Sequence, residues 1–227
     1  MLITIDCETI GDDSDEAREA LKTTIKPPAN YKKQEAIDKW WDENGTAALE
    51  DAVAKTSFDG ALGHIVCIGM AIDDGDPVAH FQGSEAEILT AAYAEIQQAA
   101  IVATKSGSAE RDITFVGHNL TGFDLRFLFH RSVVLGIKPP ACLMKTMKAK
   151  PWDSCIADTM TLWSPERDKR ISLDKLCKAL GIPTPKGDLD GSKVWEYFRA
   201  GRIQEIADYC KKDIVATREV YRRLVFA

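Results

Sequence analysis

The chain of 227 residues contains no long apolar run. Its longest, from His64 to Ile72, is well short of the roughly 20 residues that cross a bilayer as a helix, so no membrane span is expected. The N-terminus, Met1-Leu2-Ile3-Thr4-Ile5-Asp6, has neither the basic start nor the uninterrupted apolar segment of a secretory signal. The six cysteines (Cys7, Cys67, Cys142, Cys155, Cys177 and Cys210) form no C-x-x-C pair, and their spacing suits neither a zinc site nor a disulfide framework. Several lie in apolar stretches, where Cys acts as a small hydrophobe, and a reducing cytoplasm is the setting they suit. Walker, G-x-S-x-G and H-E-x-x-H motifs are all missing, as are internal repeats and low-complexity segments. Positive charge is not in excess either: the net charge of −6 argues against broad, nonspecific coating of nucleic acid. It leaves open an enzyme acting on nucleic acid, because carboxylates gathered around divalent metals lower the net charge while the bound ions reverse the local field. Basic residues do cluster locally, between Lys145 and Lys150 and at Lys211-Lys212.

What is present is an ordinary globular composition, 45% hydrophobic and 28% charged, sized for a single domain over 1–227. The β-branched opening, Leu2-Ile3-Thr4-Ile5-Asp6-Cys7-Glu8, reads as a buried strand. A polar, helix-favouring stretch follows over about 12–60, interrupted by Pro27-Pro28, and reads as a helical insertion. A strand over 65–72, a turn rich in Asp and a short strand ending near Phe81 predict a hairpin. Ser84 and Glu87 have capping-box spacing and open a helix to about residue 100. Further on, the pattern predicts a strand over 113–116 and a helix over 122–135 stopped by Gly136. A Lys-rich loop, a last strand over 154–157, and helices over 172–180, 192–200 and 203–225 complete it. Strands alternating with helices, then a helical end, predict an α/β fold with a mixed sheet.

Three short patterns carry candidate chemistry. In Ile5-Asp6-Cys7-Glu8 the alternation of a strand puts both acids on one face. Buried there, two carboxylates need neutralising; if the strand ends at Ile5, both are solvated. In His118-Asn119-Leu120-Thr121-Gly122-Phe123-Asp124, the acid falls in the first turn of an apolar helix, where it also suits the helix dipole. In Tyr209-Cys210-Lys211-Lys212-Asp213, the first and last side chains share one face of a helix, at the edge of its apolar stripe. Asn119 either contacts a substrate backbone or caps the following helix. His118 reads as a turn residue, Asp158 as a helix cap and Trp195 as core. Trp40-Trp41 offers either base stacking or packing.

In order and spacing these patterns resemble the three motifs of the DEDD exonuclease superfamily in its tyrosine-bearing branch: Asp6 and Glu8, then Asn119, Phe123 and Asp124, then Tyr209 and Asp213. The C-terminal third adds Ser172-Leu173-Asp174-Lys175-Leu176, Leu180-Gly181-Ile182-Pro183, Lys186-Gly187, Asp190-Gly191 and Val194-Trp195. It resembles bacterial and phage exonucleases related to the proofreading domains of family B polymerases. The resemblance covers about 1–10 and 60–227, and assigns nothing to 12–60.

The resemblance implies an RNase H-like fold, a mixed five-stranded sheet flanked by helices. It implies two Mg²⁺ or Mn²⁺ ions, hard cations suited to carboxylate oxygens. Asp6 would bridge both; Glu8 and Asp213 would complete the site of the attacking water; Asp124 would hold the second ion, largely through waters. Tyr209 would orient that water, and Thr9, Asn119 and Phe123 would contact the terminal nucleotides. The expected activity is 3′→5′ hydrolysis of single-stranded DNA to nucleoside 5′-monophosphates. A 3′→5′ exoribonuclease and a non-catalytic nucleic-acid-binding module are the alternatives.

Overall fold

The computed structural model describes residues 1–107, 113–150, 152–166, 170–185 and 187–227. Lys186, part of the C-terminal resemblance, lies outside them. The described residues form a five-stranded sheet in the order β3-β2-β1-β4-β5. Its strands are β1 (Leu2–Ile10), β2 (His64–Ile72), β3 (Val78–His80), β4 (Thr114–Gly117) and β5 (Ile156–Asp158). β1 runs antiparallel to β2 and parallel to β4; β2 pairs antiparallel with β3, and β4 parallel with β5. The sheet is mixed and flanked by helices, as expected.

The centre of the sheet falls to β1 because its residues can be buried on both faces. Ile3, Ile5 and Cys7 pack into a cluster with α3 (Glu85–Lys105) and α4 (Asp124–Leu135). By alternation, Thr4, Asp6, Glu8 and Ile10 take the opposite face. There Ile10 packs with α8 (Val194–Arg199) and α9 (Ile203–Val225). A bulge on β2 keeps that face supplied with apolar surface. The register skips from Glu8↔Cys67 to Thr9↔Ile65. The consecutive Val66 and Cys67 therefore both pack toward α8 and α9, while Ile65 and Ile68 face α3 and α4. On α9, Ile206, Cys210 and Ile214 are fully buried. Burying an aliphatic side chain this completely contributes about 1.5–3 kcal/mol, which anchors the helix across the sheet.

Between β1 and β2 the chain forms α1 (Asp15–Thr24), α2 (Gln34–Lys55) and a short 3₁₀ turn, Thr56–Phe58. This is the expected helical insertion. Trp40 and Trp41 are half-buried and meet edge to face, with ring centroids 5.3 Å apart. Ser84 and Glu87 form the capping box that opens α3. The helix continues to Lys105, past the expected end near residue 100. Two short helices were not legible in the pattern, α5 (Ala141–Thr146) and α6 (Thr159–Trp163). At five or six residues each, neither completes enough turns to show a period. α5 takes up part of the expected Lys-rich loop. The last strand lies slightly later than expected, and its final residue, Asp158, caps α6. α7 (Leu173–Leu180) begins at Ser172 and ends at Gly181, whose φ of 67° lets the chain turn left-handed.

Candidate active site

The acids meet where β1 leaves its parallel ladder. β1 and β4 pair only from Leu2↔Thr114 to Thr4↔Val116. Beyond that point the Cys7 N–H has no strand partner on that side, and it donates to Asp124 Oδ1 at 3.0 Å. Asp124 opens α4 with no side-chain cap before it, and it is only 3% exposed. Its carboxylate therefore does more than compensate the helix dipole: it crosses to the central strand.

From the other side of the sheet α9 brings Tyr209, Cys210 and Asp213. Gly69 on β2 lies opposite Asp6, and a Cβ there would sit 2.6 Å from Cys210 Sγ. Without a side chain at this position, α9 settles directly onto the acids. The Cys210 thiol donates to Asp6 Oδ2 at 3.4 Å. Ligand atoms of Asp6, Glu8 and Cys210 all lie within 4.8 Å of one another. Glu8 is 7% exposed and Asp213 8%. Cys210 is the site residue that sequence reasoning missed, since in a helix stripe a cysteine counts as one more small hydrophobe.

Burial is the main electrostatic force here. It raises the Asp6 carboxyl to about 6, opposed by the Cys210 thiol hydrogen bond. It lifts Glu8 well above its ordinary value, with the charges of Asp6 and Asp213 adding to the rise. Asp124 is likewise pushed well up by burial and then by Asp6, against the Cys7 N–H. Tyr209 is driven far above the usual phenol range by burial and then by Asp213, Glu8 and Asp6, and its hydroxyl donates to Asp213. Among the described residues, none of Asp6, Glu8 and Asp124 has a Lys, Arg or His ion pair. Such a cluster is costly for the protein alone. A donor set of this kind, rich in carboxylate oxygens, fits hard divalent ions.

The remaining expected residues lie around the acids. The Thr9 hydroxyl is committed to the Ser57 carbonyl at 2.7 Å. Asn119 adopts a left-handed φ of 62°. It does not cap α4, because the residue at that cap is Phe123, without a side-chain hydrogen bond. Of the two readings of Asn119, capping is therefore excluded. Asn119 instead lines a cavity of about 430 Å³ with Thr121, Gly122, Arg126, Asp158 and Arg170. Phe123 lines a neighbouring groove of about 360 Å³. Gly122 and Arg126 border both spaces.

Asp158 is a cap, as expected, and also holds the turn before α4. Its carboxylate accepts from the N–H groups of Asn119, Thr121 and Met160 and from the Thr121 hydroxyl. His118 has partners on both ring nitrogens: Nε2 lies 2.9 Å from the Ile171 carbonyl and Nδ1 2.9 Å from Thr159 Oγ1. A carbonyl only accepts, so Nε2 carries the proton and the ring is structural. Trp195 is only half-buried, packed against the α8/α9 cluster with its ring stacked on Phe198.

The acid cluster lies at the centre of a mixed-sheet α/β domain, and sequence comparison gives that domain a family. A model described as predicted 3′-5′ exonuclease related to the exonuclease domain of PolB matches residues 64–227. The chain belongs to that family. The matched region contains Asp124, Tyr209 and Asp213, whereas Asp6 and Glu8 precede it and join the site through the central strand. No curated protein matches the chain in sequence. The structure of the family B DNA polymerase from the hyperthermophilic archaeon Pyrobaculum calidifontis is similar to it, with a TM-score of 0.56 and 14% identity. That similarity covers 99% of this chain and 24% of the polymerase. At this identity the likeness is one of fold, the RNase H-like α/β architecture. No helix among the described residues is long and apolar enough to cross a membrane.

Proposed function

We propose that this chain is a divalent-metal-dependent 3′→5′ exonuclease that releases nucleoside 5′-monophosphates from single-stranded DNA. The observation that carries this reading is the convergence of Asp6, Glu8 and Asp124, buried or half-buried and, among the described residues, without a cationic partner, beside Asp213 and Tyr209. Asp6, Glu8, Asp124 and Asp213 would hold two Mg²⁺ or Mn²⁺ ions. A bound pair of this kind activates a water and stabilises charge on the leaving 3′ oxygen.

The protein's own groups supply the rest. Tyr209, whose ionisation burial and the neighbouring carboxylates disfavour, orients the attacking water. Gly69 and Cys210 fix the depth of α9 and the direction of the Asp6 carboxylate. Asn119 and Phe123, on either side of Gly122, contact the terminal nucleotides from the two adjoining spaces. Thr9 contributes through the segment its hydroxyl holds at Ser57.

The test is a single-stranded oligonucleotide labelled at its 5′ end, incubated with and without Mg²⁺ or Mn²⁺. A metal-dependent ladder of shortening products is expected, with Asp6→Ala and Asp213→Ala both folded and inactive. Full activity in excess EDTA, or immediate release of labelled mononucleotide, would overturn the reading. Matched RNA and DNA strands decide the sugar preference. Tight binding without any cleavage would mark a binding module.

A further inference from the structure

The insertion between β1 and β2 has no assigned role, yet it ends beside the acids with an aromatic ring in solvent. Phe58 is 74% exposed. Isolated exposed apolar residues are common on protein surfaces and carry no argument by themselves. Three observations set Phe58 apart.

Its backbone is pinned. Thr9 Oγ1 donates to the Ser57 carbonyl at 2.7 Å, and the Asp12 N–H donates to Thr56 Oγ1 at 2.8 Å. On the far side, buried Arg131 donates to the Gly60 carbonyl at 3.3 Å and also pairs with Glu85. Gly60 lies so close to α4 that a Cβ would come within 2.7 Å of His130 Cβ. The ring is thus exposed on a braced segment, so fraying does not explain its exposure.

It also has an aromatic partner that reaches the acids. The Phe58 and Phe123 rings meet edge to face, with centroids 6.2 Å apart, and Phe123 immediately precedes Asp124. Phe127 continues the row, 5.4 Å from Phe123.

Finally, the groove these rings line has a cation at its border. Phe58, Phe123 and Phe127 line it, with Asp59 and Arg126 beside them. The one carboxylate among the described lining residues, Asp59, accepts from the Ala61 N–H at 2.9 Å, within its own loop. Arg126, two residues after Asp124, is exposed and borders the groove. Aromatic faces bordered by a guanidinium match unpaired bases joined by phosphates.

We infer that Phe58, with Phe123 and Arg126, forms a stacking platform for unpaired bases of the substrate strand near its 3′ end. The insertion thereby acts as a positioning element for the strand. The placement of the 3′ end rests on the exonuclease reading. Stacking accepts any base, so the platform favours single strands over duplex without selecting a sequence.

The experiment uses the full chain and a single-stranded oligonucleotide with a hydrolysis-resistant phosphorothioate 3′ linkage. 2-Aminopurine is placed in turn at each of the last few positions. Wild-type protein is expected to quench the probe near the 3′ end. Phe58→Ala should lose the quench and weaken binding by roughly 10-fold, whereas Phe58→Tyr retains both. As a second arm, Arg126→Ala should lower the salt dependence of binding by about one phosphate contact. A Phe58→Ala protein that binds and quenches like wild type would overturn the inference, as would an unchanged salt slope in Arg126→Ala. Failure of the exonuclease reading looks different: wild type would quench the probe yet never shorten an unmodified strand.

Discussion

The Cys210 thiol donates to the Asp6 carboxylate from inside the hydrophobic seam of α9, 3.4 Å away. One side chain thus belongs both to the packing of the helix and to the acid cluster. Cys210→Ala should raise the metal concentration for half-maximal activity by about 10-fold, the cost typical of losing a group that orients a metal ligand. Cys210→Ser, which keeps a donor, should recover much of it. Identical metal titrations for all three proteins would show that the thiol only fills space.

Gly69 makes the same contact possible from the strand side. Gly69→Ala would place a Cβ 2.6 Å from Cys210 Sγ and 3.1 Å from Ile214 Cγ1. Overpacking of this kind costs about 1–3 kcal/mol. For a domain of this size that is a fall in Tm of several degrees, roughly 2–4 °C per kcal/mol. Activity should fall further than stability does, because the helix carrying Tyr209 and Asp213 is lifted. Calorimetry beside a nuclease assay measures both, and an unshifted Tm would contradict the close approach.

Burial, and then the charges of Asp213, Glu8 and Asp6, push the Tyr209 hydroxyl far above the usual phenol range in the metal-free site, which disfavours its ionisation. Tyr209→Phe should slow hydrolysis by about 10²–10⁴-fold while leaving metal affinity nearly unchanged. The wild-type rate should show no ionisation attributable to a tyrosine up to about pH 9. A collapse of metal affinity in the variant would make Tyr209 a support of Asp213 instead.

The carboxylates predict how stability depends on pH. Asp6 is raised to about 6, and Glu8 and Asp124 stand well above their ordinary values. The metal-free folded state therefore holds protons that the unfolded chain has already released. The stability these three carboxyls contribute is fullest below about pH 4, where unfolded carboxylates titrate, and falls as pH rises toward 6 and beyond. Divalent ions compete with those protons. Mg²⁺ or Mn²⁺ should therefore raise Tm more at pH 8 than at pH 5. Thermal scans across that range, with and without metal, check it; a larger metal effect at pH 5 would reverse the sign.

The elements that bear the acids were legible from local pattern alone. Alternation put Asp6 and Glu8 on one face of β1, and helical spacing put Tyr209 and Asp213 on one face of α9, because both periods are properties of the backbone. The capping box at Ser84 and Glu87 was readable for the same local reason. What these elements meet depends on how the chain packs. Asp124 reaches the Cys7 N–H because the β1–β4 ladder stops after Thr4. Thr9 grips Ser57 and not solvent because the insertion folds back on β1. Cys210 became part of the site because Gly69, distant in sequence, has no side chain to hold α9 away. Each of these depends on the distance between segments far apart in the chain, and no local period encodes that distance.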